Sequence, residues 1–226
     1  IFPRHAFSMA NTRVWAQKIR SGGMLGMFNT AWAVFHMPLQ TMNLQVAATG
    51  ALCADPDAPL DAAWQERWFE QEFGGPARGL ADAMETLGSM WEIPAPEYGR
   101  PFTPLVWGYM NMVFHYPGRH KDRQRFGAYP RNWNEVDFTA IYRKGVEVSR
   151  AFPDRARLNR ELDERLAAFP RAVAAVEALA AGATRRRDEA RLLAVLARLK
   201  GLSLRLFAHL LRGDGNAADL KREIEA

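Results

Sequence analysis

The chain has 226 residues, 48% of them hydrophobic and 24% charged, and a formal net charge of +5. That balance describes a globular chain able to bury one large core or two small ones, and it excludes a disordered tail or a disulfide-stapled miniprotein. Cys53 is the only cysteine, so neither an intrachain disulfide nor a cysteine-based zinc cluster is available. Residues 1–118 carry 7 Lys+Arg against 10 Asp+Glu, whereas residues 119–226 carry 23 against 15. The basic surplus therefore belongs to the C-terminal half, where i to i+4 pairing with acidic neighbours accounts for it and no nucleic-acid partner is expected. Every apolar run is broken by Arg, Asp, Gly or Pro before the ~20 residues a membrane span needs, so no membrane partner is expected either. Ile1-Phe2-Pro3-Arg4-His5 lacks the layout of a secretory signal, and the expectation is a chain cut from something longer.

In chain order, Ser8 to Ser21 reads as a helix, with Ser8 as cap and Met9, Arg13, Ala16 and Ile19 on a mixed face beside Val14 and Trp15. Gly22-Gly23 stops it. Met24-Leu25-Gly26-Met27-Phe28 is a short apolar run without helical or alternating period, the pattern of a strand buried on both faces of a parallel sheet. Asn29, Thr30 and Trp32 follow at its end, and a loop through His36 reaches Pro38. From there Leu39, Met42, Val46 and Leu52 line a helix that Asp55-Pro56 ends. The order helix, strand, helix over residues 1–58 is that of the closing piece of a (β/α)8 barrel. On that reading Asn29, Thr30, Trp32 and His36 stand at the mouth where such folds build their sites. His36 is otherwise an ordinary loop histidine.

Residues 59–133 form a helical middle region. Asp61 to Phe73 and Ala77 to Trp91 read as a packed helix pair separated by Gly74-Gly75-Pro76, with Trp64, Trp68, Trp91 and Trp107 as core. A proline-rich stretch at 93–104 precedes a buried helix from Leu105 to Tyr116. The loop after Pro117 interleaves Arg119, His120, Lys121, Arg123 and Arg125 with Phe126, Tyr129 and Trp133. Such a composition suits an anionic glycan or single-strand surface, but a loop docked on acidic helices has the same composition and is the preferred reading.

Residues 134–226 read as a C-terminal antiparallel helical bundle. Leu158, Leu162, Leu166, Phe169, Val173, Val176 and Leu179 recur at threes and fours. Leu192, Leu196, Leu199, Leu202, Leu206 and Leu210 do so again after Gly182. A third helix over about 134–152 would cover the stripe left open, and a second copy of the chain is the other way to cover it. Pro170 is expected to bend or interrupt the first long helix, Arg185-Arg186-Arg187 to form a solvated turn, and Gly213-Asp214-Gly215 to end the second. The fold class is thus mainly α, with one terminal barrel unit. Five histidines without HExxH or i to i+4 spacing predict no metal site, and no cofactor is expected.

The segment Gly26-Met27-Phe28-Asn29-Thr30-Ala31-Trp32, with Pro38, Gln40-Thr41, Ala47-Ala48 and Trp64 to Phe73-Gly74, resembles the last strand and helix of glycoside hydrolase family 20, the β-N-acetylhexosaminidases and their relatives. The resemblance covers about residues 10–75. It implies that Trp32 is the tryptophan on which the sugar stacks, that Asn29 and Thr30 position hydroxyls or backbone, and that an N-acetylhexosaminide is the substrate. Family members carry a polar residue two positions after this tryptophan, where this chain has Val34. The family's Asp-Glu pair, in which Glu protonates the leaving group and Asp orients the substrate acetamide, belongs to an earlier strand. The adjacent acidic pairs here, Asp163-Glu164 and Asp188-Glu189, fall in the helical third. No catalytic residue is therefore expected within this chain, which would supply one wall of a site completed by an upstream barrel portion. The rival expectation is a non-enzymatic helical module that binds a protein partner.

Overall fold

The computed structural model describes residues 5–27, 39–89 and 154–212, and every regular element among them is helical. The mainly α class follows. The chain divides into two units, one made of Ile1–Ser89 with Arg165–Gly201, the other of Met90–Glu164 with Leu202–Ala226. The expected boundary at residues 58 and 59 runs through the first unit. The helices expected at 105–116 and 134–152, the basic aromatic loop, Trp91, Trp107 and the stop at Gly213-Asp214-Gly215 lie outside the described residues.

In the first unit, α1 (His5–Ser21) begins three residues before the expected start. Ser8 is therefore inside the helix instead of capping it, and its carbonyl accepts a bond from the Thr12 hydroxyl at 2.9 Å. His5, Met9, Thr12 and Ala16 form the buried stripe, while Val14 and Trp15 stay about half exposed, at 47% and 52%. The helix ends as Gly22-Gly23 predicts. Gly23 takes φ +63, which frees the Met24 amide to reach the Ile19 carbonyl at 3.1 Å and the Gly23 amide to reach that of Arg20 at 3.5 Å, a Schellman closure.

The next segment corrects the sequence reading. Met24–Met27 is irregular, not a strand, and Met24 and Leu25 are 58% and 109% exposed. The physical reason is local: the Met24 amide is spent on the helix closure, and no strand stands beside the run among the described residues. A short 3-10 turn (Leu39–Met42) then leads into α2 (Asn43–Ala54). Leu44, Gln45, Ala48 and Leu52 face inward, and Val46, expected to line the helix, is 62% exposed. Leu44 takes its place because the inward stripe of a helix runs 44, 48, 52 once Leu52 is fixed in the core. Across the α1–α2 contact the Gln45 Nε2 donates to Thr12 Oγ1 at 3.3 Å.

Asp61 caps α3 (Ala62–Phe73) by accepting the Trp64 amide at 2.8 Å, and Gly74 closes it at φ +67 with its amide on the Glu70 carbonyl. The expected pairing of α3 with α4 (Leu80–Ser89) holds. Helix α4 starts later than the apolar pattern suggests because Gly79 turns the chain at φ +75. The Gly79 amide donates to Glu66 Oε1 at 2.6 Å. Phe69 and Phe73 fill the core, stacked at 6.2 Å between centroids. Trp64 and Trp68, expected there, are only half-buried: a tryptophan is too large to enter this short-helix core whole, and Trp68 instead meets the Phe69 ring edge-on at 5.0 Å.

Two long helices complete the described chain, α5 (Arg155–Gly182) and α6 (Arg187–Arg212). Asp154 caps α5 by accepting the Arg157 amide at 2.8 Å. Within the first unit the pair is antiparallel, since Glu177 meets Arg198 and Phe169 lies against Gly201. On α5 Leu158, Leu162, Val173, Val176 and Leu179 are buried as the threes-and-fours pattern requires, whereas on α6 the expected stripe is displaced: Leu199 is 52% exposed, Leu192, Leu196 and Leu202 are only half-buried, and Leu193, Ala197 and Leu204 face inward instead. Pro170 does not interrupt α5. The bond it forfeits is a single one, to the Leu166 carbonyl, and burial of Phe169, Ala172 and Val173 around it outweighs that loss.

The turn from Ala183 to Arg186 leaves Thr184, Arg185 and Arg186 exposed, as expected, and is docked as well. The Thr184 and Arg185 amides both donate to the Phe73 carbonyl at 2.9 Å, Thr184 Oγ1 donates to the Gly74 carbonyl at 3.1 Å, and Arg185 Nη2 to that of Glu70 at 3.3 Å. Arg186 adopts φ +47, an αL conformation that costs a non-glycine residue on the order of 1 kcal/mol. Its guanidinium answers that cost by pairing with Glu72 and Glu189 over the Phe73 ring.

Candidate functional site

The four residues that the sequence brings forward, Asn29, Thr30, Trp32 and His36, lie outside the described residues. What the first unit does build is a cleft of about 390 Å³ between α1, the start of α3 and α4. Its apolar wall comes from Met9, Ala10, Leu60, Ala62 and Ala81, and its polar groups are Arg13, Asp61, Gln65, Asp82 and Glu85.

Each polar group owes its place to a local feature. Arg13 lies one helical turn past Met9, and its guanidinium is turned to the loop before α3, donating to the Pro56 carbonyl at 3.1 Å and to Ala58 at 2.6 Å. The cationic head is thereby committed to backbone. Asp61 is held by its capping bond to Trp64. On α4, Asp82 and Glu85 stand three residues apart, hence on one face. Glu85 Oε2 takes the first-turn amide of Ala6 at 3.1 Å, a carboxylate at a helix N-terminus, whereas Asp82 is exposed and makes no polar contact among the described residues. Gln65 faces the cleft from α3 and is 9% exposed.

His5, beside this cleft in sequence, is 1% exposed, and neither ring nitrogen has a hydrogen-bond partner. Burial alone pushes it down to about 4 from an ordinary 6.5, so the ring is neutral at pH 7. No motif or spacing in the sequence singles this histidine out for burial. No group of three or more His, Cys, Asp or Glu among the described residues converges as metal ligands. No described helix is long and apolar enough to cross a membrane. The acidic pairs Asp163-Glu164 and Asp188-Glu189 lie on α5 and α6, with Asp163, Glu164 and Asp188 exposed and Glu189 engaged by Arg186. No family model, no curated protein and no solved structure matches the chain.

Proposed function

We propose that this chain is the C-terminal portion of a glycoside hydrolase resembling the β-N-acetylhexosaminidases, contributing a sugar-stacking wall through Trp32, with Asn29 and Thr30 beside it, and not the catalytic carboxylates. The observation that carries the reading is the apolar run Met24–Met27 between α1 and α2. Leu25 is fully exposed there, an apolar surface left uncovered among the described residues where the resemblance puts the last barrel strand. An N-acetylhexosaminide is the substrate class on this reading, and His36 is a further contact at the mouth. The test is Trp32→Ala in the protein carrying its barrel. Loss of one stacking platform lowers affinity for N-acetylglucosamine about ten-fold. Unchanged binding and turnover would refute the platform. Cleavage of a chromogenic N-acetylglucosaminide by the 226-residue chain alone would refute the assignment of catalysis to another part of the protein.

A second reading, a helical module that binds a protein partner, is favoured by one observation: Phe7, Val14 and Trp15 are 65%, 47% and 52% exposed on α1. Residues 7 and 14 are two turns apart, and 15 borders them, so they share one outward face. Under that reading Trp15→Ser abolishes association while Trp32→Ala leaves it intact; the glycosidase reading demands the opposite ranking for sugar binding.

A further inference from the structure

We propose that the outward face of α6 docks on an anionic lipid surface, with Val195 and Leu199 entering the headgroup boundary and Arg191, Arg198 and Arg205 pairing with phosphates along one edge. The helix lies on the bilayer and does not cross it, a case that the search for membrane spans does not address. The proposal rests on neither functional reading, since none of these residues belongs to the segment 29–36 or to α1.

Helix α6 has two apolar faces. One is packed: Ala190, Leu193, Ala197 and Leu204 are buried, and Gly201 lies against Phe169 of α5. The other points away from that contact. Val195 and Leu199 are half exposed there, with Leu192 and Leu196 half-buried beside them. Arg191, Arg198 and Arg205 recur every seven residues, which puts three exposed arginines on one edge of this outward stripe.

Charge decides what meets the stripe. From Ala190 to Arg212 the helix carries four arginines and one lysine and no acidic residue. A second copy would bring the same basic edge against it, and like charges brought together oppose association. Arg191 and Arg198 do have acidic neighbours, Asp188 and Glu177, but both arginine side chains are largely exposed, at 71% and 66%. Ion pairs so open to water contribute little, and a phosphate that takes the guanidinium through two oxygens displaces them. The shape of the partner follows from α5, which holds the opposite face of α6 and bridges its edge through Glu177. A groove that closes round a helix would collide with α5, whereas a flat surface touches the outward stripe alone. Apolar side chains bordered by cations on a flat contact fit a bilayer with acidic headgroups.

The test is flotation of the full chain with vesicles of phosphatidylcholine alone and of phosphatidylcholine containing about 30 mol% phosphatidylserine. The chain is expected to float with the second and not the first, and to be released by added salt. Arg191→Gln combined with Arg198→Gln is expected to weaken binding about twenty-fold. Arg67→Gln combined with Arg78→Gln removes the same charge from exposed positions at and near α3 and is expected to leave binding within about two-fold. Val195→Ser, at an exposed position the fold does not need, is expected to weaken it several-fold. No flotation, equal flotation on both vesicles, equal losses in the two double variants, or unchanged binding of Val195→Ser would each overturn the proposal. A dimer in ultracentrifugation that Val195→Ser dissociates would assign the face to a second copy, and binding to soluble polyglutamate without binding to vesicles would assign it to an acidic protein; either result overturns it too.

Discussion

Replacing Gly201 by alanine sets two effects of opposite sign against each other. A glycine inside a helix costs roughly 0.5–1 kcal/mol relative to alanine, so by propensity alone Gly201→Ala stabilises α6. The packing reverses that. A Cβ built on Gly201 falls within the van der Waals envelope of the Phe169 ring, against Cζ, Cε1 and Cε2 at once. To recover the ~3.5–4.0 Å separation of non-bonded carbons the ring has to retreat by about 2 Å, and at 9% exposure it has little room to do so. Overpacking of this kind costs ~1–3 kcal/mol, and a displacement of that size belongs at the upper end. After subtracting the helix gain, Gly201→Ala is expected to destabilise by about 2 kcal/mol, or a fall in Tm of roughly 4–8 °C for a chain of this length. Urea unfolding followed by circular dichroism measures it. Shortening the facing ring in the same background, as Phe169→Leu with Gly201→Ala, should cost less than the two changes summed, by about 1 kcal/mol or more. A Gly201→Ala protein as stable as the parent, or strictly additive double-variant energies, would refute the close approach.

Acid should weaken the fold through His5. Its folded value of about 4 lies below the ordinary 6.5, so between those values the unfolded chain binds a proton the folded one refuses. Stability is therefore complete above about pH 6.5 and falls as pH drops to 4, by at most about 3 kcal/mol. His5→Leu flattens that part of the urea-midpoint profile, and an unaltered slope would count against the burial. Gly74 and Gly79 both hold left-handed conformations, but a Cβ on Gly74 runs into Thr184 Oγ1 while one on Gly79 meets open space. Gly79→Ala should cost about 1 kcal/mol, and Gly74→Ala clearly more because it also pushes the Ala183–Arg186 turn away; equal losses would contradict the docking.

Much of the helical architecture was legible because periodicity and punctuation agree. The threes-and-fours of Leu158, Leu162, Val176 and Leu179 mark the buried stripe of α5, and Gly23, Asp61 and Gly74 mark ends through specific backbone or capping needs, whereas on α6 counting leucines misplaced the stripe, since Leu193 and Leu204 are buried and Leu199 is not. Met24–Met27 misled because an apolar run says that burial is favourable but not what does the burying, and a strand exists only beside another strand. The turn at Arg185–Arg187 is exposed as its charge suggests, but its docking was not legible, because the carbonyls at the end of α3 are acceptors that only tertiary folding brings near. The cleft was invisible for the same reason, since Gln65, Asp82 and Arg13 belong to three helices and no spacing rule joins them. Asn29, Thr30, Trp32 and His36 rest on the family resemblance.

The clasp of Thr184 and Arg185 on the Phe73 carbonyl changes how the molecule comes apart. A helical hairpin ordinarily frays from its own loop as a local event, but here loosening the loop also strips the carbonyls at the C-terminal end of α3, more than a hundred residues earlier, of their donors. Opening at that corner is therefore a shared event, and its amides should exchange with solvent at the pace of a core element.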